Sequence, residues 1–301
     1  MLRYNNLAGF LREKYNGAVR KICIDGGFSC PNRDGTCGMG GCIFCGERGS
    51  GEHILADGQS IADQVRSYFS RNPRGDGFIA YFQNFTNTYA PIDVLRQRYD
   101  AALIDERIVA LAIGTRPDCI TEEVADLLRE YAVDRDVWVE LGLQTLNDRT
   151  ATIINRGYLS DVFDRAVSIL GDKNIPVVVH VIVGLPGETK NDVMRTIDHI
   201  GQLGLWGIKI HSIYVMKGTV LEGMFRCGSY SPPSMEEYVD IVASAIARLP
   251  PDMVVHRLTG DCPQGLLVAP DWNRDKNAVI GAINAKLQEK DWRQGSLFGL
   301  R

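Results

Sequence analysis

Six short apolar runs recur along the chain, and most are rich in valine, isoleucine and other residues that favour strands. Several are apolar at nearly every position rather than at every second one, which is typical of strands buried on both faces. We therefore predict six strands, at residues 19–24, 77–83, 108–114, 137–144, 177–184 and 208–215.

Amphipathic stretches separate these runs and predict helices. Thr121, for example, precedes two acidic residues and an apolar periodicity, as a helix N-cap does. Strands that alternate with helices form βα units around a parallel sheet, which is either open and doubly wound or closed, fully or partly, into a barrel. The predicted helices cover residues 62–70, 90–104, 121–132, 160–170 and 189–204, with one more after Ser231.

The composition is that of an ordinary globular protein of 301 residues, with 45% hydrophobic and 23% charged residues. A net charge of −4 argues against a protein that coats nucleic acid non-specifically, but it leaves room for a local basic patch. The chain has no apolar run of the roughly 18 residues that a membrane span needs, and its first residues lack the apolar core of a signal peptide. We therefore predict a cytoplasmic protein without a membrane partner.

The loop after the first predicted strand contains four of the eight cysteines, namely Cys30, Cys37, Cys42 and Cys45. Such crowding in a long chain without a secretion signal indicates a metal site rather than disulfides. The loop follows the carboxyl end of a strand, where ligands bind in parallel α/β folds. Six glycines between residues 26 and 41 give its backbone the freedom that a tightly wrapped loop needs.

Three interpretations of these cysteines compete. A closed zinc site would use all four, although only Cys42 and Cys45 form the close pair that such sites contain. A plant-type two-iron cluster would use Cys37, Cys42, Cys45 and a distant cysteine, but that cluster belongs to a small fold without six βα units. A four-iron cluster held by three thiolates would leave one iron open for a further ligand.

Residues 24–45, IDGGFSCPNRDGTCGMGGCIFC, resemble the cluster loop of the YhcC/YtqA (MnmL) family of radical S-adenosylmethionine (radical SAM) proteins, which is related to the catalytic subunit of Elongator. The family spacing C-x11-C-x2-C falls on Cys30, Cys42 and Cys45, whereas Cys37 stands where the family needs no cysteine. The resemblance implies a [4Fe–4S] cluster whose open iron binds S-adenosyl-L-methionine. It also implies a 5′-deoxyadenosyl radical that takes a hydrogen atom from the substrate.

Further segments resemble motifs of the same family, in the same order and at strand ends. They are QNFTNTYAP (83–91), ELGLQT (140–145), NRGY (155–158), GLPGET (184–189), YVMKGT (214–219), RLTGDCP (257–263) and LLVAPDW (266–272). Together they imply a partial (β/α)6 TIM-like barrel of the radical SAM type. We expect this core at residues 1–230, with an N-terminal extension at 1–18 and a helical or irregular C-terminal extension at 231–301 packed on the barrel.

The resemblance and the strand-end positions imply a set of cofactor-binding residues, each with a structural alternative. Glu140 interrupts an apolar strand, so it needs a buried partner, such as the cofactor's ribose or Arg156. His180 also interrupts a strand, and it is either a cofactor contact or a hydrogen-bonded core histidine. The complete set is Gln83, Thr86, Asn87, Glu140, Arg156, His180, Gly184, Gly187, Met216 and Gly218.

The resemblance implies a transfer RNA as the substrate, with conversion of a carboxymethylaminomethyl group to an aminomethyl group at C5 of the wobble uridine. A basic N-terminus that contains Tyr4, Phe10 and Tyr15 suits stacking on splayed bases, although a helix packed on the barrel would use the same residues. An electron donor such as flavodoxin or ferredoxin would be a second partner. The alternatives are a radical SAM enzyme for a small metabolite, which the acidic composition favours, and a non-enzymatic metal-binding module.

The ligand assignment predicts distinct effects of four alanine variants on iron content after anaerobic reconstitution. Cys30→Ala, Cys42→Ala and Cys45→Ala each lose a thiolate ligand, so each should abolish cluster binding. Cys37→Ala is the matched control and should leave the iron content largely unchanged. Loss of iron in Cys37→Ala with retention in Cys30→Ala would overturn the assignment.

Overall fold

A computed structural model describes residues 2–49, 51–52, 54, 58–72 and 75–299. Seven strands form one parallel sheet in which each strand pairs with the next one along the chain. They are β1 (Val19–Ile24), β2 (Gly77–Phe82), β3 (Ile108–Thr115), β4 (Asp136–Gln144), β5 (Val177–Val183), β6 (Gly207–Ser212) and β8 (Val254–Arg257), while β7 (Val215–Met216) and β9 (Leu267–Ala269) form a separate antiparallel pair.

Ten α-helices lie in the described part of the chain, and most of them follow a strand. Side-chain caps fix several helix starts: Thr121 accepts from the amide of Val124, as predicted, and Thr189 and Asp192 form a capping box. The helices are α1 (Leu7–Tyr15), α2 (Ile61–Arg71), α3 (Ile92–Ala102), α4 (Glu122–Tyr131), α5 (Asp148–Ile153), α6 (Ser160–Asp172), α7 (Lys190–Ile200), α8 (Val220–Arg226), α9 (Met235–Arg248) and α10 (Lys276–Glu289).

The predicted partial barrel of parallel strands is confirmed, and one strand of its sheet was missing from the prediction, as was the short β9 outside that sheet. β8 lies in the C-terminal part, which we expected to be helical or irregular, and it pairs with β6 to extend the sheet. With four residues, β8 is too short for its sequence pattern to indicate a strand. The division of the chain at residue 230 stays a prediction, but residues beyond it complete the sheet.

The two faces of the curled sheet differ in polarity because successive side chains of a strand point to opposite faces. On β4, Val139 and Leu141 belong to the outer core beneath the helices, whereas Trp138 and Glu140 face the interior of the barrel. The other strands alternate in the same way. The interior is apolar near the amino ends of the strands and becomes polar towards their carboxyl ends.

Helix α1 covers the amino end of the barrel. Leu11 is buried among interior residues, the ring of Phe10 packs edge-on against Trp206 at 5.4 Å between centroids, and the hydroxyl of Tyr15 donates to Asp136, the first residue of β4. The cysteine loop lies at the opposite end of the strands. The aromatic residues that we considered for RNA stacking therefore pack on the barrel, as the structural alternative predicted.

The C-terminal helices complete the outer layer, since α9 packs against both α7 and α10. Among the described residues, none of the helices has the length and apolar character that crossing a membrane requires. The cytoplasmic location stays a prediction from the sequence.

Removal of the apolar contact beneath the barrel should destabilise the protein. Leu11→Ala deletes a buried side chain, and such truncations cost about 2–4 kcal/mol where the surroundings do not collapse. The midpoint of urea unfolding, followed by circular dichroism, should fall accordingly. Glu13→Ala on the exposed face of α1 is the control and should stay within about 0.5 kcal/mol of the parent protein. Equal midpoints for both variants would show that α1 does not support the barrel.

Candidate functional site

The cysteine loop leaves the carboxyl end of β1 and is held by the segment that follows α5. The side chain of Asn155 donates to the carbonyls of Met39, at 3.2 Å, and Gly41, at 2.8 Å. The amide of Ile43 donates to the carbonyl of Ile154 at 3.1 Å. Two residues after α5 therefore hold the stretch that leads into Cys42.

Asn32, within the loop, is fully buried and reaches one of the thiols. Its Nδ2 donates to the carbonyl of Asn155 at 2.6 Å and lies 3.9 Å from Sγ of Cys42. A Cβ on Gly157 would lie 2.9 Å from Oδ1 of Asn32, and one on Gly38 would lie closer still. Both positions therefore need glycine so that Asn32 can orient Cys42.

The predicted ligand thiols interact with one another. The hydrogen bond between Cys42 and Cys45 lowers the pKa of Cys42, while it raises that of Cys45 well above the ordinary thiol value. Arg116 and Arg156 also favour the Cys42 thiolate, and Cys30 contributes to the electrostatic field at Cys45. A thiolate is the form that binds metal, so the surroundings of Cys42 favour the state that a ligand requires.

The observed contacts are compatible with thiolate ligands of one cluster, since the thiols of Cys42 and Cys45 are hydrogen-bonded to each other. In such a cluster each cysteine binds a different iron. Cys37 has polar partners of its own, because its Sγ lies 3.5 Å from Nη2 of Arg116 and 3.9 Å from Oδ2 of Asp118. The assignment of Cys30, Cys42 and Cys45 as the ligands stays a prediction.

A cavity borders Cys45 and extends into the barrel. It is lined by residues at and beyond the carboxyl ends of the central strands, including two predicted cofactor residues, Gln83 and His180. Met216 lies next to the loop, since a Cβ on Gly46 would collide with its terminal methyl group. The structure therefore brings Gln83, His180 and Met216 together around Cys45.

Glu140 lies in the interior beneath this cavity, fully buried and surrounded by donors. Its Oε2 accepts from Nζ of Lys209 and lies 3.0 Å from Nε2 of His180. Its Oε1 lies 3.5 Å from Nζ of Lys21 and accepts from Nε1 of Trp138 at 3.3 Å. The expectation that Glu140 needs a buried partner is confirmed, and we call Glu140, Lys209, Lys21 and His180 the interior ion cluster.

Burial and mutual attraction set the charges of the ion cluster. Burial alone would raise the pKa of Glu140, but Lys209, Lys21 and His180 outweigh it and hold that pKa well below its usual value. Burial lowers the pKa of Lys209 to about 7, against the attraction of Glu140. Burial and Lys209 together lower the pKa of His180 to about 4. Near pH 7, Glu140 is therefore ionised and His180 is neutral.

The predicted pairing of Glu140 with Arg156 is wrong. Arg156 donates to the carbonyls of Leu143, Thr145 and Tyr158 and lies 3.4 Å from Asp148. Its guanidinium thus fixes the turn after β4, on the side away from Glu140. Glu140 and Arg156 are close in sequence, but their side chains lie in different places. Glu140 points from β4 into the barrel interior, whereas Arg156 contacts the backbone of the turn after β4.

Thr86 and Asn87 are buried in the turn after β2. Nδ2 of Asn87 donates to the carbonyls of Phe82, at 3.2 Å, and Gly114, at 2.6 Å, so this side chain ties β2 to β3. Oγ1 of Thr86 and Oδ1 of Asn87 are buried without a hydrogen-bond partner among the residues the structure describes. Neither residue lines the cavity that borders Cys45.

The predicted glycines have separate roles. Gly184 packs against Pro233 and Ile213 with a φ of 97°, and with Gly187 it lines a different pocket, between the β5–α7 turn and the segment before α9. The amide of Gly218 donates to the carboxylate of Glu222 at 2.7 Å, at the start of α8. The structure does not bring these three glycines to the cavity beside Cys45.

Sequence reasoning missed the most basic part of the cavity wall. Lys209 and His211 line it from β6, and Arg257 lines it from β8. A signal was present, because Lys209 and His211 alternate with isoleucines in IKIHS and must therefore share one face of their strand. Gln144 also lines the cavity, in a left-handed conformation with a φ of 65°.

Comparison with protein families gives two matches. The radical SAM superfamily model matches residues 34–200, and the Radical_SAM C-terminal domain model matches residues 205–289. The Bacillus subtilis protein YtqA is 40% identical over 299 residues, which cover 98% of this chain and 93% of YtqA.

More distant relatives share part of the chain. A tRNA uridine(34) acetyltransferase from Methanocaldococcus jannaschii is 29% identical over 190 residues, which are 62% of this chain and 34% of that protein. The solved structure of archaeal Elp3 from Methanocaldococcus infernus, with an N-terminal deletion, aligns with a TM-score of 0.71 at 18% identity. The alignment covers 92% of this chain and 64% of the Elp3 chain. At that identity the structural likeness shows a common fold.

The ion cluster predicts a large stability effect of one isosteric change. Glu140→Gln keeps the shape but leaves the buried Lys209 and the partly buried Lys21 without their carboxylate, and breaking a buried pair in this way costs about 3–5 kcal/mol. Urea unfolding at pH 7 would measure the loss. Glu106→Gln, in the exposed loop before β3, should change stability by less than about 0.5 kcal/mol. A similarly small loss in Glu140→Gln would contradict the described pairing.

Proposed function

The chain belongs to the radical SAM superfamily and, within it, to the YhcC/YtqA family, and on that premise we propose that it modifies the C5 side chain of the wobble uridine in a tRNA. One observation carries the proposal. The thiols of the C-x11-C-x2-C motif lie at the carboxyl mouth of a partial barrel, beside a polar cavity that extends inward from Cys45.

In this proposal Cys30, Cys42 and Cys45 hold a [4Fe–4S] cluster, and S-adenosyl-L-methionine binds beside it. When bound, these groups supply a 5′-deoxyadenosyl radical that takes a hydrogen atom from the substrate. The chain's own contribution is to position the reactants and to exclude water. Gln83 lines the cavity, Met216 packs beside Gly46 of the cysteine loop, and α1 covers the far end of the barrel.

The remaining predicted cofactor residues act in this proposal through the shape of the site. Asn87 and Thr86 hold the turn after β2, Arg156 holds the turn after β4, and Glu140 orients His180 by accepting its hydrogen bond. Gly184, Gly187 and Gly218 shape the neighbouring turns. His180 and Lys209 are the members of the ion cluster that also line the cavity with Cys45, and of the predicted cofactor residues in that cluster we place His180 against a bound molecule.

The tRNA substrate is supported by the relatives that share this part of the chain. The acetyltransferase named above acts on tRNA uridine 34 according to its name, and the shared region spans only 34% of it. Acetyl transfer is therefore not part of our proposal. We propose instead the conversion of a carboxymethylaminomethyl group and water to an aminomethyl group and glyoxylate. The bound cofactors would take up the hydrogen atom and the further electron that this oxidation releases. An electron donor such as flavodoxin or ferredoxin is the second partner.

A small metabolite is the second candidate substrate, and one observation favours it. The N-terminal basic and aromatic segment packs at the amino end of the barrel, so it does not border the mouth. The net charge of −4 points in the same direction. A salt-dependent tRNA-binding assay separates the two candidates, because contacts with several phosphates make RNA affinity fall steeply with salt.

Nucleoside analysis tests the proposed reaction. In tRNA from cells without the gene, carboxymethylaminomethyluridine should accumulate and aminomethyluridine and its derivatives should be lost, as measured by liquid chromatography and mass spectrometry. Purified protein reconstituted with iron and sulfide should restore the aminomethyl product when given S-adenosyl-L-methionine and a reductant. Cys42→Ala protein is the matched control and should restore nothing. An unchanged wobble-uridine profile in the cells would count against the tRNA substrate.

A further inference from the structure

The cavity beside Cys45 is unusually basic in its inner part. Lys209 and His211 line it from β6, Arg257 lines it from β8, and the ring of Tyr81 lies 4.5 Å from Nζ of Lys209. The sheet brings these side chains together because β6 lies between β5 and β8. We call Tyr81, Lys209, His211 and Arg257 the cavity floor.

Two carboxylates lie beside the floor, and each is already shared by two cations of the described residues. Lys21 and Lys209 share Glu140. Arg257 lies 3.7 Å from Asp261, which also lines the cavity and whose other oxygen pairs with the exposed Lys276. Lys209 is the cation that is fully buried, so an anion that enters the cavity would meet it in a low-dielectric interior, where a charge-assisted contact is strong.

Donors remain available at the floor. An ammonium group has three N–H donors, and among the described residues Lys209 uses two of them, towards Glu140 and Tyr81. Nε2 of His211 is buried and has no hydrogen-bond partner in the described part of the chain. Buried polar groups are nearly always hydrogen-bonded, so an unpartnered one beside a cavity indicates a missing ligand.

We propose that the cavity floor binds a carboxylate of the substrate, through Lys209 and His211 with Arg257 as a supporting charge. The inference rests on the proposed function, because the carboxymethylaminomethyl group ends in a carboxylate. It goes beyond that function by naming the residues that select the substrate.

The same floor distinguishes the substrate from the product. Both side chains have a protonated amine, but only that of the substrate also has a carboxylate, which Lys209, His211 and Arg257 can bind. The aminomethyl product has lost the carboxylate and keeps the amine, which Lys209 and Arg257 repel. The floor therefore favours binding before the reaction and release after it, because the reaction removes the group that the floor binds and leaves a cation.

A matched pair of ligands tests the carboxylate site apart from the chemistry. Two anticodon stem-loops would carry either the carboxymethylaminomethyl group or its methyl ester, which has similar size but no negative charge. The reconstituted protein should bind the acid at least about tenfold more tightly, the difference expected of one charge-assisted hydrogen bond. Affinities would be measured at constant salt, and also with the two free nucleosides by calorimetry.

Three variants test which side chains cause the preference for the acid over the ester. Lys209→Met and His211→Leu should each abolish the preference for the acid and leave affinity for the ester within about twofold, since each removes a donor to the carboxylate. Lys217→Met is the matched control. Lys217 is exposed and does not line the cavity, so this variant should keep the preference for the acid. His211→Leu removes no ion-pair partner, so it remains informative if Lys209→Met fails to fold.

The outcomes separate this inference from the proposed function. Equal affinity for acid and ester, with intact stem-loop binding, would overturn the carboxylate site and leave the tRNA substrate standing. If neither stem-loop binds but the free acid is preferred over its ester, the tRNA proposal fails and the carboxylate site stands. If Lys209→Met and His211→Leu both still prefer the acid, the assignment of Lys209 and His211 is also overturned.

Discussion

The pairing of Glu140 inside the barrel is the interaction on which the rest of the structure depends. A buried carboxylate is tolerated only where donors surround it, and here they come from three other strands: Lys21 on β1, His180 on β5 and Lys209 on β6. β1 and β6 lie five positions apart in the sheet. They can reach one carboxylate only because the sheet curls, so the ion cluster and the curvature support each other.

The ion cluster also separates an apolar layer of the barrel interior from the cavity that reaches the cysteine loop. Beneath it lie apolar residues, such as Ile79 and Trp138, which α1 covers and seals from solvent. Above it lies the cavity that reaches Cys45. A radical reaction needs a site that limits the access of water, and the apolar layer beneath the ion cluster contributes to that. The polar middle layer is also where a substrate's charge could be recognised.

The cysteine loop depends on residues far from it in sequence. Asn155 and Ile154 hold its backbone, and Asn32 reaches Cys42 from a position that the same turn fixes. Arg156, next in the chain, fixes that turn by donating to carbonyls around it. The local sequence motif therefore provides the thiols, whereas the turns after β4 and α5 hold the loop that positions them.

The sequence by itself determined the six main strands, the parallel sheet and the cysteine motif, because continuous apolar runs and ligand spacing are local properties. It also indicated that Glu140 needs a partner. Only the tertiary structure decided that the partner is Lys209, 69 residues away, rather than Arg156, since pairing follows from strand order and curl. For the same reason the sequence did not reveal β8, whose four residues form a strand only against β6, or a basic cavity floor assembled from three separate strands.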